Sequence, residues 1–218
     1  GLKGEELHDA LLIDETNPDI IGENLVPVID LMKVQEGDIL FDGDITIAKV
    51  TEKATDAIDS TKDNTQTTIE ITRNVNGSSA FTVGANKNII IDIKGYGLNI
   101  STNDWCTNNG TLTIKNSESK GNINATSERL FANNKNMTLQ DIAINVKKSG
   151  TEENKLNEII NKENCTFNMI NAQLVVDGTN MRVVENKGTF NMSKLSSITR
   201  ASDSRIDGED ILINYGSA

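Results

Sequence analysis

The chain has 218 residues, a formal net charge of −11 at pH 7, 36% apolar residues and only 4% aromatic ones. Eight aromatic side chains do not fill a broad globular core, whereas a thin core fed by short strands needs less apolar material per residue. No apolar run is long enough to span a bilayer, which excludes a transmembrane helix, and no basic stripe offers to neutralise phosphates, which excludes a nucleic-acid partner.

The charge is unevenly placed. Residues 1–63 hold 16 acidic and 5 basic side chains, while residues 64–218 hold 16 of each. That asymmetry predicts two physically different segments with a seam near residue 63. No apolar h-region follows Gly1-Leu2-Lys3, so no cleavable signal peptide is visible; a cytosolic protein and a mature or excised piece of an exported one both fit. Residues 5–13 have the pattern of a short helix stopped by Asn17-Pro18, and residues 24–34 that of a strand in which Pro27 marks an edge or a bulge. Residues 37–41 read as a second strand, followed by the turn Asp42-Gly43-Asp44. Residues 1–44 are therefore expected to be an acidic lead-in or small β-rich module.

The period changes at residues 46–59. Ile47, Val50, Ala54, Ala57 and Ile58 fall on one helical face, with Thr46 as N-cap. A helix before a run of β-coils has the job of covering the apolar end of the first coil, so residues 45–63 are expected to form a capping helix and linker.

From Thr67 onward, two-residue alternation is interrupted by Asn, Gly and Ser. Aligning the strongest strand of each copy places Ile69, Ile89, Leu112, Met137, Phe167, Phe190 and Ile211 in equivalent positions, at steps of 20, 23, 25, 30, 23 and 21 residues. The long step contains the polar stretch 148–155, which can loop out of the stack. Steps near 22 residues match one turn of a parallel β-solenoid. A second ladder supports this register. Asn108-Asn109, Asn133-Asn134, Asn161 and Asn186 each follow an apolar strand and precede the main one, where stacked amides can bond along the solenoid and Asn tolerates left-handed backbone. A third set (Ile100, Ile123, Ile144, Val175, Ile198) supplies the remaining strand, which makes three strands per coil. The last residues, Tyr215 to Ala218, directly after a strand-like run, read as a cut through a longer protein.

Residues 87–100 (Lys-Asn-Ile-Ile-Ile-Asp-Ile-Lys-Gly-Tyr-Gly-Leu-Asn-Ile) and 108–114 (Asn-Asn-Gly-Thr-Leu-Thr-Ile) resemble coils of pectate-lyase-like right-handed parallel β-helix proteins. With a helix ahead of the coils, the chain is similar to adhesin-like surface proteins of bacteria, over about residues 46–218. The resemblance implies an all-β fold: a right-handed single-stranded parallel β-helix of about seven coils over residues 64–218, near 30 Å long at about 4.8 Å per coil.

Polysaccharide-cleaving enzymes of that fold carry clustered carboxylates, calcium or a basic residue on one outer face. In the alignment above, the position of Asp92 is followed by Lys115, Gln140, Ile170, Ser193 and Asn214, and the neighbouring outward row is Ile90, Thr113, Thr138, Asn168, Asn191 and Leu212. Neither row holds an acidic pair, so Asp92 reads as a solvated or turn-proximal aspartate. Asp104, Asp141 and Asp177 fall near coil corners, where aspartate bonds its own turn, and Glu152-Glu153 sit in the long coil's insertion. His8 is the only histidine and lies in the lead-in, which disfavours histidine-based catalysis or metal binding. Asp38, Asp42 and Asp44 lack the spacing of a calcium loop. Triplets such as Asn76-Gly77-Ser78 and Asn124-Ala125-Thr126 arise from composition. Cys106 and Cys165 fall two coils apart, about 10 Å, beyond disulfide reach.

The expectation is thus a non-enzymatic β-helical segment of a bacterial cell-surface protein, with an adhesion or stalk role. No cofactor, metal or catalytic residue is assigned. Its Asn-, Ser- and Thr-rich faces suit carbohydrate or host and extracellular protein through many weak hydrogen bonds. A carbohydrate-active lyase or hydrolase, or a purely structural spacer, is the alternative.

Overall fold

A computed structural model describes residues 40–42, 54–76, 79–150, 156–179, 181–193, 195–201 and 212–217. The chain winds through three sheets in rotation. Sheet I stacks β2 (Gln66–Glu70), β5 (Asn88–Asp92), β8 (Thr111–Lys115), β11 (Asn136–Gln140), β14 (Thr166–Ile170) and β17 (Thr189–Met192) in parallel, with β1 (Leu40–Asp42) antiparallel on β2. Sheet II stacks β3 (Val75–Asn76), β6 (Leu98–Ile100), β9 (Ile123–Ala125), β12 (Ala143–Lys147), β15 (Gln173–Asp177) and β18 (Ser197–Arg200). Sheet III stacks β4 (Phe81–Val83), β7 (Cys106–Asn108), β10 (Phe131–Asn133), β13 (Leu156–Asn161), β16 (Met181–Asn186) and β19 (Leu212–Asn214).

This is an all-β parallel β-solenoid with three strands per coil. Among the described residues the chain makes about five full turns from β2 to β17 and begins a sixth coil, fewer than the seven expected. The surplus came from residues 211–214. Their apolar pattern matches Ile211 to Phe190, but β19 pairs with β16 in sheet III, Leu212 opposite Val184 and Asn214 opposite Asn186. The bridge from Thr189 to Ser217 then returns the chain to sheet I.

The shared rows of Ile89, Leu112, Met137, Phe167 and Phe190 are as read from the sequence. The first copy slips by two residues, because Ile89 lies opposite Thr67 and Ile69 opposite Ile91. In sheet II the inward row is Leu98, Ile123, Ile144, Leu174 and Ile198; Ile100 belongs one row on, and Val175 faces outward beside Asn145. Strict alternation explains both, since each inward residue is flanked by outward ones.

The few aromatics form a file along the axis. Phe81, Trp105, Phe131, Phe167 and Phe190 touch in sequence, with ring centroids 5.1, 5.9, 6.4 and 5.3 Å apart. Helix α1 (Ala54–Asp59) packs against β4 of the first coil and buries Ala57 and Ile58 completely. Lys87 ties the helix exit down: its ammonium donates to the carbonyls of Asp59 (3.2 Å) and Thr61 and pairs with Asp63 at 2.9 Å. The expected elements at 5–13 and 24–34, the start of the helix at Thr46, His8, Asp38, Asp44 and Glu152-Glu153 lie outside the described residues. Strand β1 covers Leu40–Asp42, so Asp42 ends a strand where a turn was expected to begin.

The asparagine ladder runs up the interior at the corner from sheet III to sheet I. Asn108 Nδ2 donates to Asn133 Oδ1 (2.8 Å), Asn133 to Asn161 (2.8 Å), Asn161 to Asn186 (2.7 Å) and Asn186 to Asn214 (2.6 Å). Each Nδ2 also donates to the carbonyl of the residue that opens the next coil's sheet I strand: Asn136, Thr166, Thr189 or Ser217. Four of these asparagines, Asn108 through Asn186, are fully buried, so the bonds satisfy amides that water cannot reach. Gly110, two residues after the first rung, is required by close approach; a Cβ there would lie 2.5 Å from the Lys87 carbonyl oxygen.

Candidate binding face

The outer surface of sheet II carries a second, exposed ladder. Leu98, Ile100, Ile123, Ala125, Ile144 and Val146 point inward and are buried, so the residues between them face out. In register on that face stand Asn76, Asn99, Asn124 and Asn145, all exposed. Asn99 Nδ2 donates to Asn76 Oδ1 at 2.6 Å, Asn124 to Asn99 at 3.0 Å and Asn145 to Asn124 at 3.2 Å. Asn122 Nδ2 adds a fourth bond, to Asn124 Oδ1 at 3.1 Å.

The next outward positions are Ser101, Thr126, Lys147 and Asp177, and with Asn99, Asn124 and Asn145 they line a shallow groove of about 540 Å³. An amide has two N–H donors and two acceptor lone pairs. Asn99 spends one donor and one acceptor on the ladder, which leaves one of each for a ligand. Asn124 is fully engaged, its Nδ2 donating to Asn99 and Asn122 and its Oδ1 accepting from Asn122 and Asn145, so the amide capacity left for a ligand lies on either side of it, at Asn99 and Asn145.

A second concavity, about 430 Å³, opens at the corner between sheets I and II, lined by Glu70, Lys94, Tyr96, Glu118 and Lys120 among others. The two-residue slip in the first coil brings Glu70 directly opposite Asp92, so the row does hold an acidic pair, contrary to expectation. Nor is Asp92 solvated; it is 2% exposed. Burial pushes its carboxyl up, but N–H groups from Lys94 and Ser117 (both 3.0 Å to Oδ1) and the Lys115 ammonium (3.3 Å to Oδ2) outweigh that and hold it below the ordinary carboxylate range. Asp92 is a turn-capping residue that staples two coils.

Lys94 stands between Glu70 (3.6 Å) and Glu118 (3.8 Å). Glu70 above all, with Asp92 and Glu118, raises its ammonium above the usual lysine range. A lysine that removes a substrate proton must be neutral near the working pH. Lys94 is pushed the other way, and the two glutamates that could act as acid and base are engaged by it.

The remaining corner aspartates bond across coils as well as locally. Asp104 pairs with Arg129 of the next coil. Asp141 accepts from Asn171 Nδ2 (2.8 Å) and Gln140 Nε2 (2.9 Å), and these bonds hold its carboxyl below the ordinary range. Asp177 lies at the rim of the groove. Cys106 and Cys165 are both free thiols and buried. Among the described residues no group of three or more His, Cys, Asp or Glu side chains is placed to hold a metal ion.

One residue of chemical interest escaped the sequence reading. Glu158, the third residue of β13, is fully buried, and burial pushes its carboxyl up to about 8, with the Leu130 N–H offsetting only part of that. The signal was available: counting back three residues from each ladder asparagine aligns Leu130, Glu158 and Val183.

Comparison with protein-family models, with curated proteins and with solved structures finds no match for this chain. The fold and the side-chain geometry are therefore the whole basis for a functional reading.

Proposed function

We propose that this protein is a non-enzymatic β-solenoid of a bacterial surface protein that binds carbohydrate along the outer face of sheet II, in an adhesive or stalk role. The observation that carries this reading is the exposed ladder that runs from Asn76 through Asn99 and Asn124 to Asn145, the last three on the floor of an open groove with Ser101, Thr126, Lys147 and Asp177 along its side. Such a face offers many weak, regularly spaced polar contacts to an extended, hydroxyl-rich chain. It offers no enclosed pocket for a small molecule.

The experiment is a glycan array probed with the wild-type chain and with the double variant Asn99→Leu/Asn124→Leu. Retention of a glycan by the wild type, loss in the variant and no change in the bound sugar support the reading. Release of new reducing ends or unsaturated uronates on incubation favours a carbohydrate-active enzyme, for which the Glu70–Lys94–Glu118 cleft is the place to look. Absence of binding to glycans and to extracellular-matrix proteins favours a spacer.

A further inference from the structure

The turns from sheet I to sheet II differ in length along the stack. Those after β11 and β14 take two residues each, 141–142 and 171–172, so two are enough to round the corner. The three before them take four, five and seven residues: 71–74, 93–97 and 116–122. Apart from Glu70, every residue that lines the corner concavity of about 430 Å³ comes from these three longer turns.

The turns are firmly built. Asp92 staples the second to the third at their start, through the N–H groups of Lys94 and Ser117. Asn116, 7% exposed, holds them together further on. Its Oδ1 accepts from the N–H of Gly95 (2.8 Å) and Glu118 (3.3 Å), and its Nδ2 donates to the Lys120 carbonyl (2.9 Å). Lys94 and Gly95 pass through left-handed backbone, φ 47° and 78°, and Tyr96 follows them, 37% exposed. Two residues ahead of the paired Leu98, Ile123, Ile144 and Leu174, the same position holds Tyr96, Gly121, Ile142 and Ala172. Ile142 and Ala172 are buried, and Gly121 contributes no side chain beside the tyrosine. The five rings of the interior file are buried, whereas Tyr96 is turned out to solvent at a concavity.

The charge around that ring balances, Lys94 and Lys120 against Glu70 and Glu118. Lys94 holds both carboxylates (3.6 and 3.8 Å), which fixes them as acceptors. A balanced cluster gives a charged ligand no net attraction. A hydroxyl-rich ligand finds carboxylate acceptors and ammonium donors there beside an aromatic face, and a sugar ring presents both hydroxyls and a face of C–H groups that packs on such a ring. The concavity also adjoins the groove already described: Tyr96 stands three residues before Asn99, at most about 11 Å along the chain.

We propose that this corner is a second carbohydrate subsite, in which Tyr96 stacks against one ring of an uncharged oligosaccharide, Lys94 and Glu118 bond its hydroxyls, and the glycan continues over Asn99. The proposal rests on the reading of sheet II as a glycan-binding face, which it extends around the corner and narrows to neutral glycans.

The test uses the intact chain with cello-, xylo-, manno- and N-acetylchitotetraose, and with tetragalacturonate as the charged counterpart. Binding is measured by isothermal titration, and contact by protection of tyrosine from nitration by tetranitromethane, read by peptide mass. Tyr215, the other tyrosine, is 68% exposed and serves as internal reference. The expected result is binding of at least one neutral tetrasaccharide with slower nitration at Tyr96 alone, and none of tetragalacturonate. Tyr96→Ala is expected to weaken that binding about tenfold, and Tyr96→Phe by about twofold or less because the ring face is kept. Binding that leaves Tyr96 nitration unchanged and survives Tyr96→Ala, but is lost in Asn99→Leu/Asn124→Leu, overturns the corner site and leaves the sheet II reading standing. Binding lost in Tyr96→Ala and kept in the asparagine double variant supports the corner site and overturns the sheet II reading. Absence of binding to every neutral tetrasaccharide, or tighter binding of tetragalacturonate, overturns the proposal. If Tyr96→Ala does not fold, the wild-type nitration pattern decides alone.

Discussion

Replacing Asn161 by alanine isolates what the interior ladder contributes. Asn161 is fully buried; its Nδ2 donates to Asn186 Oδ1 (2.7 Å) and the Thr189 carbonyl (3.0 Å), and its Oδ1 accepts from Asn133 Nδ2 (2.8 Å). Truncation leaves four partners short of a bond, counting the long one to the Cys165 carbonyl (3.3 Å), each at about 1 kcal/mol or less, plus a small cavity where the amide was. The expected loss is about 3–5 kcal/mol, a large share of a typical total stability. Asn124→Ala is the control. It breaks amide–amide bonds of similar length, but on the exposed face, where water takes their place, so its cost is expected within about 0.5 kcal/mol. Trp105, the sole tryptophan and 4% exposed, reports unfolding directly. In urea, Asn161→Ala is expected to lower the midpoint by about 1 M or more with an unchanged slope, while Asn124→Ala barely moves it. Equal shifts in the two variants would refute the reasoning, because burial would then not be what gives the inner bonds their weight.

Three further outcomes are expected. Gly110→Ala forces a methyl group against the backbone of the coil below and should cost about 3 kcal/mol in the same urea assay. Asp92, held below the ordinary carboxylate range of about 3.8, contributes stability that is present above that value and lost as pH falls through its lower folded value; acid unfolding of Asp92→Asn should show a correspondingly flatter limb. Burial pushes both Cys106 and Cys165 thiols up, so a thiol reagent at pH 8 should label neither in the folded chain and both in urea, as read by intact mass.

The solenoid was legible because inward positions repeat. Ile89, Leu112, Met137, Phe167 and Phe190 can be aligned by eye, and the asparagines before them mark the same corner each time. Errors arose where that repetition weakens. In the first coil Thr67 takes an inward position, so matching isoleucine to isoleucine shifted the register by two and hid Glu70 beside Asp92. At the other end, Ile211-Leu212-Ile213 resembles a main strand by composition. The Asn214-Tyr215-Gly216 that follows repeats Asn186-Lys187-Gly188 and Asn108-Asn109-Gly110, and assigns it to sheet III. Hydropathy was the weaker guide there, because all three sheets use the same apolar residues. The candidate face was legible only in composition. That four asparagines share one outer column follows from alternation within short strands, whose boundaries a single sequence leaves loose by a residue or two. The buried Glu158 looked ordinary because it stands next to the inward Ile159, where strict alternation would turn it outward, yet both are buried.

The interior asparagines all point the same way. Every rung from Asn108 to Asn186 passes its N–H toward the C-terminal end, every rung from Asn133 on receives one from the coil before, and each is anchored to main-chain atoms that forbid a flip. Adjacent coils thus present identical connectors, a plug above and a socket below. A coil duplicated or deleted between Asn133 and Asn186 leaves no connector unmatched, so the length of the rod can change by whole units through gene duplication without redesign of its interior. The series has one fixed origin: below Asn108 stands Val83, which has no plug to offer.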